Sequence, residues 1–194
     1  MNDTEIRLLT LLNSYGDIIE LDYKFDPESC IRDLCKLDWI PSTNNKSAIN
    51  LTGPLDDLGL EAKDKHDADQ QYNDNLHACP GIKHFFDKWE KLARCRAAKL
   101  DAGSYFKMHR DAYRFRPQMR IFIPLNATEV HEWNFIYDTK RVQFKPGVPY
   151  ILNTRKQHGS FAFVDDIYHI LMSVHITEQN IRKVTGLLPN CQEW

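Results

Sequence analysis

The second half of the chain consists of short apolar segments separated by turn signals, and this pattern constrains the fold more than any other feature. Candidate strands recur at intervals of about 8 to 15 residues. They are 92–100, 105–109, 120–125, 132–137, 142–144, 150–153, 159–163 and 168–176. Turn-forming residues lie between them, as at Pro146-Gly147. Short strands separated by turn residues are typical of antiparallel sandwiches and barrels, so we predict a mainly β fold with flanking helices.

Helical signals lie outside this β-rich region. Asp26 and Pro27 provide an N-cap and a first helical position, and a second helix is predicted to start after Pro80-Gly81. Apolar residues at helical spacing predict a closing helix over 177–188. The segment 53–80 is polar and rich in turn residues, which indicates a long surface excursion.

These signals predict a single domain over residues 1–194, since a chain of this length can bury a substantial core. Within it we expect a helical or irregular N-terminal region over 1–91 that packs on a barrel. The barrel itself is expected over 92–176, and a C-terminal helix and tail over 177–194.

Composition argues against several classes of partner. The 25 basic and 27 acidic residues give a net charge of −2, so nucleic acid is not an expected partner. Apolar runs fall far short of the ~20 residues of a membrane span, so no membrane association is expected. The N-terminus lacks a signal-peptide pattern, and the 5 cysteines include no Cys-x-x-Cys pair. We therefore expect a cytoplasmic protein with reduced thiols.

Candidate chemistry begins with His109 and Asp111, which share one face of a predicted strand because side chains alternate along it. A His-x-Asp pair alone is a weak signal. A second histidine, His158, follows several predicted strands later. Two imidazoles and one carboxylate form the facial triad of non-haem Fe(II) oxygenases, which leaves coordination positions open for reaction. We therefore predict that these three residues are metal ligands and catalytic residues.

Several segments extend this motif in a fixed order. They are 102–111 (AGSYFKMHRD), 120–125 (RIFIPL), 146–147 (PG), and 152–158 (LNTRKQH). With these segments, the region 92–176 resembles the aspartyl/asparaginyl β-hydroxylase family of Fe(II)- and 2-oxoglutarate-dependent oxygenases. The resemblance implies a double-stranded β-helix, the cupin-like jelly roll. It does not extend to residues 1–80.

The resemblance also implies a reaction. Fe(II) would bind to His109, Asp111 and His158, with 2-oxoglutarate as co-substrate and O2 as oxidant. An unactivated C–H bond of an amino acid, a peptidyl side chain or a small anionic metabolite would be hydroxylated, with release of succinate and CO2. The protein would supply positioning and exclusion of water. A substrate with a carboxylate is favoured by the basic residues near the predicted site, which are Lys107, Arg110, Arg114, Arg116 and Arg120.

One position departs from the family pattern. The family usually places an arginine about ten residues after the second histidine, where it pairs with the distal carboxylate of 2-oxoglutarate. Here that position holds Tyr168, followed by His169. Either these two residues replace the arginine, or a cation from a neighbouring strand does. Arg120 and Lys107 are the candidates, because Arg120 opens an apolar strand and Lys107 alternates with His109.

Alternatives stay open at this point. The departure is compatible with a cupin-type metalloenzyme that does not use 2-oxoglutarate, and a non-catalytic jelly-roll binding module is a third possibility. Arg120 could instead form a structural ion pair, and His169 could be a satisfied core histidine. The alternating aromatic residues Trp133, Phe135 and Tyr137 are attributed to packing.

Overall fold

The structure is a computed structural model that describes residues 3–52, 74–111, 118–126 and 129–189. Its helices are α1 (Asp3–Tyr15), α2 (Pro27–Leu34), α3 (Asp74–His77), α4 (Pro80–Phe86) and α5 (Glu178–Gly186). Its strands are β1 (Ile18–Glu20), β2 (Ile40–Ser42), β3 (Lys46–Thr52), β4 (Cys95–Leu100), β5 (Tyr105–His109), β6 (Gln118–Pro124), β7 (Trp133–Tyr137), β8 (Lys140–Val142), β9 (Tyr150–Leu152), β10 (His158–Ala162) and β11 (Ile167–His175).

The strands form two antiparallel sheets. The larger sheet has the order β1-β9-β6-β11-β4-β3-β2, and the smaller has the order β5-β10-β7-β8. From β4 onward the chain passes back and forth between the two sheets, with only β7 and β8 adjacent in the same one. This alternation between facing sheets is the arrangement of a jelly roll.

Two apolar cores lie on opposite faces of the larger sheet. The core between the sheets is aromatic, with Phe122, Phe135 and Phe144 in mutual contact at ring-centroid distances of 5.1 to 5.6 Å. The core on the other face lies under the helices and includes Ile170 and Met172 of β11. Because β11 is covered on both faces, its sequence is an almost continuous apolar run.

The helices begin where their capping residues predict. The Asp26 carboxylate accepts a hydrogen bond from the Ser29 N–H at 3.3 Å, and the Thr177 hydroxyl accepts one from the Asn180 N–H at 3.1 Å. Helix α4 begins at Pro80, slightly earlier than predicted. In the described parts of the chain, no helix is both long and apolar enough to cross a membrane.

Seven of the eight strands predicted over 92–176 are present with differences of up to three residues at their ends, whereas β8 (Lys140–Val142) shares only Val142 with the strand predicted at 142–144. The N-terminal region differs from the expected helical or irregular layer, because it contributes β1, β2 and β3 to the larger sheet. Strand β3 mixes polar and apolar residues on both faces, so its conformation depends on pairing with β4 rather than on a readable alternation. Most of the polar excursion at 53–80 lies outside the described residues.

Strand β5 contains an irregularity that decides which of its side chains face inward. His158 pairs with His109, whereas Ser160 pairs with Phe106, so β5 has one more residue than β10 between these pairs. Such a β-bulge needs close approach of the two backbones. Gly159 allows it, because a Cβ atom at this position would lie 2.7 Å from the Phe106 carbonyl oxygen.

We therefore expect Gly159→Ala to destabilise the fold by about 2 kcal/mol, because β5 must move away from β10. The thermal unfolding midpoint should fall by about 4–8 °C in a chain of this size. Gly186→Ala is the matched control, since a Cβ atom there meets nothing within 4 Å. An unchanged midpoint for Gly159→Ala would contradict the close approach.

Candidate metal centre

A cavity of about 100 Å³ lies between the two sheets. Inward-pointing side chains from both sheets form its walls, because alternate residues of facing strands converge there. Most of its lining surface is apolar. Its charged and polar lining residues are Arg96, His109, Asp111, Arg120, Thr154, His158, Ser160 and His169. A mostly apolar cavity with a few convergent polar groups is the usual form of a ligand site.

The structure brings His109, Asp111 and His158 together at this cavity. One ligand-type atom from each residue lies within 4.8 Å of the other two. The two imidazoles face each other across β5 and β10, with ring centroids 4.3 Å apart. His109 Nε2 lies 3.5 Å from Asp111 Oδ1. Adjacent ligands of an octahedral ion with bonds of about 2.1 Å lie about 3.0 Å apart, so this spacing approaches what one ion needs.

Both histidines have their rings oriented by backbone hydrogen bonds. His109 Nδ1 lies 2.8 Å from the Lys107 carbonyl oxygen, and His158 Nδ1 lies 3.0 Å from the Lys156 carbonyl oxygen. A carbonyl oxygen can only accept, so each Nδ1 donates. In the neutral ring the lone pair is then on Nε2, which is the arrangement of metal-binding histidines.

Asp111 lies between His109 and Arg120. Arg120 Nε donates to Asp111 Oδ2 at 3.3 Å, and Arg120 Nη1 also contacts the hydroxyl of Ser173. Burial acts to raise the pKa of Asp111, but the hydrogen bond from His109 and the charge of Arg120 outweigh it. The pKa of this carboxyl therefore lies well below its usual range. Asp111 is ionised at neutral pH, which is the form that binds a metal.

The two histidines have opposite pKa shifts. The hydrogen bond to Asp111 raises the pKa of His109 above its usual value of 6.5. Burial lowers the pKa of His158. A proton on the pair is therefore held by His109, while His158 is neutral.

A loop at residues 153–157 helps to hold Asp111 of the triad in place. The Asp111 N–H donates to the Thr154 carbonyl oxygen at 3.0 Å. The loop is in turn held by Asp17, just before β1, whose carboxylate accepts from the Asn153 side-chain amide at 2.7 Å. The N-terminal region therefore contributes to the placement of the acidic residue.

Of the residues predicted to contact the co-substrate, Arg120 and His169 line the cavity, and both are more than nine-tenths buried. Tyr168 does not line it, because neighbouring residues on β11 point to opposite faces. The Tyr168 hydroxyl lies among the helix-side residues, 3.3 Å from Asp166 and 3.6 Å from the Cys35 thiol.

Lys107 is exposed and does not line the cavity either. Strict alternation does not hold in β5, because the bulge places one extra residue between Phe106 and His109, which both face inward. Arg110 is exposed, and Arg114 and Arg116 lie outside the described residues.

Sequence reasoning missed Arg96, which lines the cavity from β4. A signal for it was present, since its neighbour Cys95 is apolar in character and buried under the helices. Alternation then points Arg96 to the opposite face, toward the cavity. Trp133, assigned to packing, also lines the cavity.

The sequence matches no protein-family model and no curated protein. The fold is similar to several solved structures. An oxidoreductase of the 2OG-Fe(II) oxygenase family from Burkholderia pseudomallei is 11% identical with a TM-score of 0.63, and the match covers 91% of each chain.

Two further structures have similar folds. A prolyl hydroxylase from Trichoplax adhaerens, solved with a hypoxia inducible factor peptide fragment, is 11% identical with a TM-score of 0.58, covering 94% of this chain and 93% of that one. HygX from Streptomyces hygroscopicus, solved with nickel, 2-oxoglutarate and hygromycin B, is 10% identical with a TM-score of 0.55, covering 86% of each chain. At these identities the likeness establishes the fold, a double-stranded β-helix as predicted.

Proposed function

We propose that this protein is an Fe(II)- and 2-oxoglutarate-dependent dioxygenase that hydroxylates an unactivated C–H bond. The observation that carries the proposal is the convergence of His109, Asp111 and His158 at the cavity of a jelly roll. Among the described residues, no other group of metal-binding side chains has this spacing. The order of the motifs in the sequence favours the aspartyl/asparaginyl β-hydroxylase family within this class.

The residues at the cavity fit such a metal. Two neutral imidazole nitrogens and one carboxylate oxygen are the ligand set of non-haem Fe(II) oxygenases, and they leave positions open for co-substrate and oxygen. The Nδ1 atoms of both histidines are hydrogen-bonded to backbone carbonyls, so both Nε2 atoms are available. The second carboxylate oxygen of Asp111 is held by Arg120, which fixes the orientation of the carboxylate.

When bound, the iron and 2-oxoglutarate supply the oxidising chemistry, with O2 as oxidant and succinate and CO2 as products. The chain's own residues orient these groups and limit access of water. Aromatic rings from Phe122, Phe135 and Trp133 wall the cavity and lower the local dielectric. Arg120 is buried beside Asp111, so its positive charge favours binding of a carboxylate close to the triad.

For the substrate we propose an amino acid, a peptidyl side chain or a small metabolite that carries a carboxylate. Arg96 and Arg120 line the cavity, and exposed Lys107 and Arg110 lie next to His109 in the chain, which supports an anionic substrate. The similar folds include one solved with a peptide fragment and one solved with hygromycin B, so this fold is compatible with a peptide or a small molecule as substrate.

One observation favours a second candidate, a cupin-type metalloenzyme that does not use 2-oxoglutarate. On β11 the residues that line the cavity are His169 and Leu171, so this strand presents no arginine to it. Such an enzyme would bind metal at the same triad without dependence on 2-oxoglutarate. A non-catalytic binding module would bind no metal there.

The triad makes a direct prediction for metal binding. His109→Ala and Asp111→Asn should each weaken Mn(II) binding by more than about 100-fold, measured by calorimetry, because each removes one of three ligands. His84→Ala is the control, since His84 is exposed on α4. Wild-type affinity in both triad variants would rule out this site.

Metal affinity should also depend on pH. The metal binds neutral His109, whose raised pKa lets protons compete with the metal near neutral pH. Because this pKa lies above the usual 6.5, lowering the pH from the alkaline side toward 6.5 should weaken Mn(II) binding, by up to about tenfold per pH unit. An affinity that is constant over this range would contradict ligation by His109.

The reaction itself is tested by succinate formation. Protein loaded with Fe(II) should convert 2-oxoglutarate to succinate in air, and faster in the presence of an accepted carboxylate-bearing substrate. Asp111→Ala should form succinate at less than about 1% of this rate, since loss of one metal ligand removes the reactive centre. Oxygen uptake without 2-oxoglutarate dependence would favour the cupin-type alternative.

A further inference from the structure

Arg96, Trp133 and His169 line the cavity but do not take part in the triad. On neighbouring strands β4 and β11, Arg96 pairs with Leu171, and Ala98 pairs with His169. Arg96 and His169 are therefore diagonal neighbours on one face, within reach of long side chains. Trp133 comes from the facing sheet, and its ring is stacked over His169 with centroids 6.4 Å apart.

Two of these side chains carry buried polar atoms that lack a partner. Trp133 and His169 are 5% and 8% exposed. Trp133 Nε1 and His169 Nδ1 form no hydrogen bond with any residue in the described parts of the chain. Buried polar groups are normally satisfied, so this pair indicates a bound group. The indole N–H can only donate, so its partner must be an acceptor.

Arg96 supplies positive charge to the same place. Burial, with a contribution from the charge of Arg96, lowers the pKa of His169 to about 3, so this imidazole is neutral. The cluster thus combines a guanidinium with uncharged ring nitrogens in a mostly apolar cavity. This combination is complementary to a carboxylate.

Small side chains leave room beside the cluster. Ala98 pairs with His169 on one side and with Ala48 of β3 on the other. The rings of Phe122 and Phe106 lie 5.1 and 6.3 Å from His169. The resulting apolar walls suit the methylene groups of a short aliphatic chain.

We infer that Arg96 and Trp133 bind the distal carboxylate of 2-oxoglutarate, with His169 as an uncharged third contact. This inference rests on the proposed function. In the family that the sequence resembles, an arginine about ten residues after the second histidine binds this carboxylate, and here we assign that role to Arg96. Arg120 does not take this role, because it is bound to Asp111 beside the triad. Arg96 on β4 and Arg120 on β6 are separated by β11, where they pair with Leu171 and Ser173. Their backbones are therefore about 10 Å apart across the strands and about 7 Å apart along them.

The test compares two ligands that differ only at the distal end. Mn(II)-loaded protein is titrated calorimetrically with 2-oxoglutarate and with 2-oxopentanoate, which has the same chelating group and chain length but ends in a methyl group. Arg96→Met should weaken 2-oxoglutarate binding by about 10- to 100-fold and leave 2-oxopentanoate binding within about twofold. Trp133→Phe, which keeps the ring but removes the N–H, should weaken 2-oxoglutarate binding by about tenfold.

The control for charge is Lys99→Met, which removes a cation from the face of the same strand opposite the cavity and should leave both ligands unaffected. Thermal unfolding midpoints establish whether each variant is folded. If Arg96→Met does not fold, the binding measurements on Trp133→Phe alone decide the test. Equal loss of both ligands in Arg96→Met, or no loss of 2-oxoglutarate binding in either variant, would overturn the inference alone. Failure of the wild-type protein to bind either 2-oxo acid would overturn the proposed function and this inference together.

Discussion

The candidate centre depends on the cross-strand pair between His109 and His158. Simple alternation from the inward-facing Phe106 would turn His109 outward, away from His158. The extra residue in β5 corrects this, and the bulge is possible because Gly159 lets the β5 backbone approach. Asp111 then follows on the inward face, held by the Thr154 carbonyl and by Arg120. A single backbone irregularity thus brings together candidate metal ligands that are far apart in the chain.

Charge in the cavity explains the class of ligand that we propose. The charged side chains that line it, within the described residues, are Asp111, Arg96 and Arg120, while His158 and His169 are neutral. Fe(II) would raise the formal charge of this set to three positive charges, and doubly charged 2-oxoglutarate would leave one. In a cavity of low dielectric, the remaining charge favours a substrate with one carboxylate. The same surplus makes an uncharged substrate a weaker candidate.

The sequence predicted the β architecture because it depends on local signals, since strand spacing and turn residues indicated β4 to β11. The family motifs singled out His109, Asp111 and His158 as candidate ligands, and the structure brings these three side chains together. Strands β1 to β3 were missed because they depend on pairing with β9 and β4 rather than on their own pattern. Lys107 was predicted to face the site, but the bulge in β5, which alternation cannot anticipate, turns it outward. Tyr168 precedes the cavity-lining His169 on β11, so its side chain points to the opposite face of the sheet. Alternation in β4 indicated that Arg96 faces inward, but its place beside His169 of β11 and the facing Trp133 indole arises from the tertiary fold, which no local motif records.

The most direct measurement is an anaerobic titration of the metal-free protein with Fe(II) and then 2-oxoglutarate, followed by visible absorption spectroscopy. We expect a metal-to-ligand charge-transfer band that saturates with 2-oxoglutarate and is absent from His109→Ala. This band requires the metal and the chelating co-substrate at one site, so it tests both at once. Bound Fe(II) without a band would contradict the use of 2-oxoglutarate and favour the cupin-type enzyme, and no bound Fe(II) would contradict the metal centre itself.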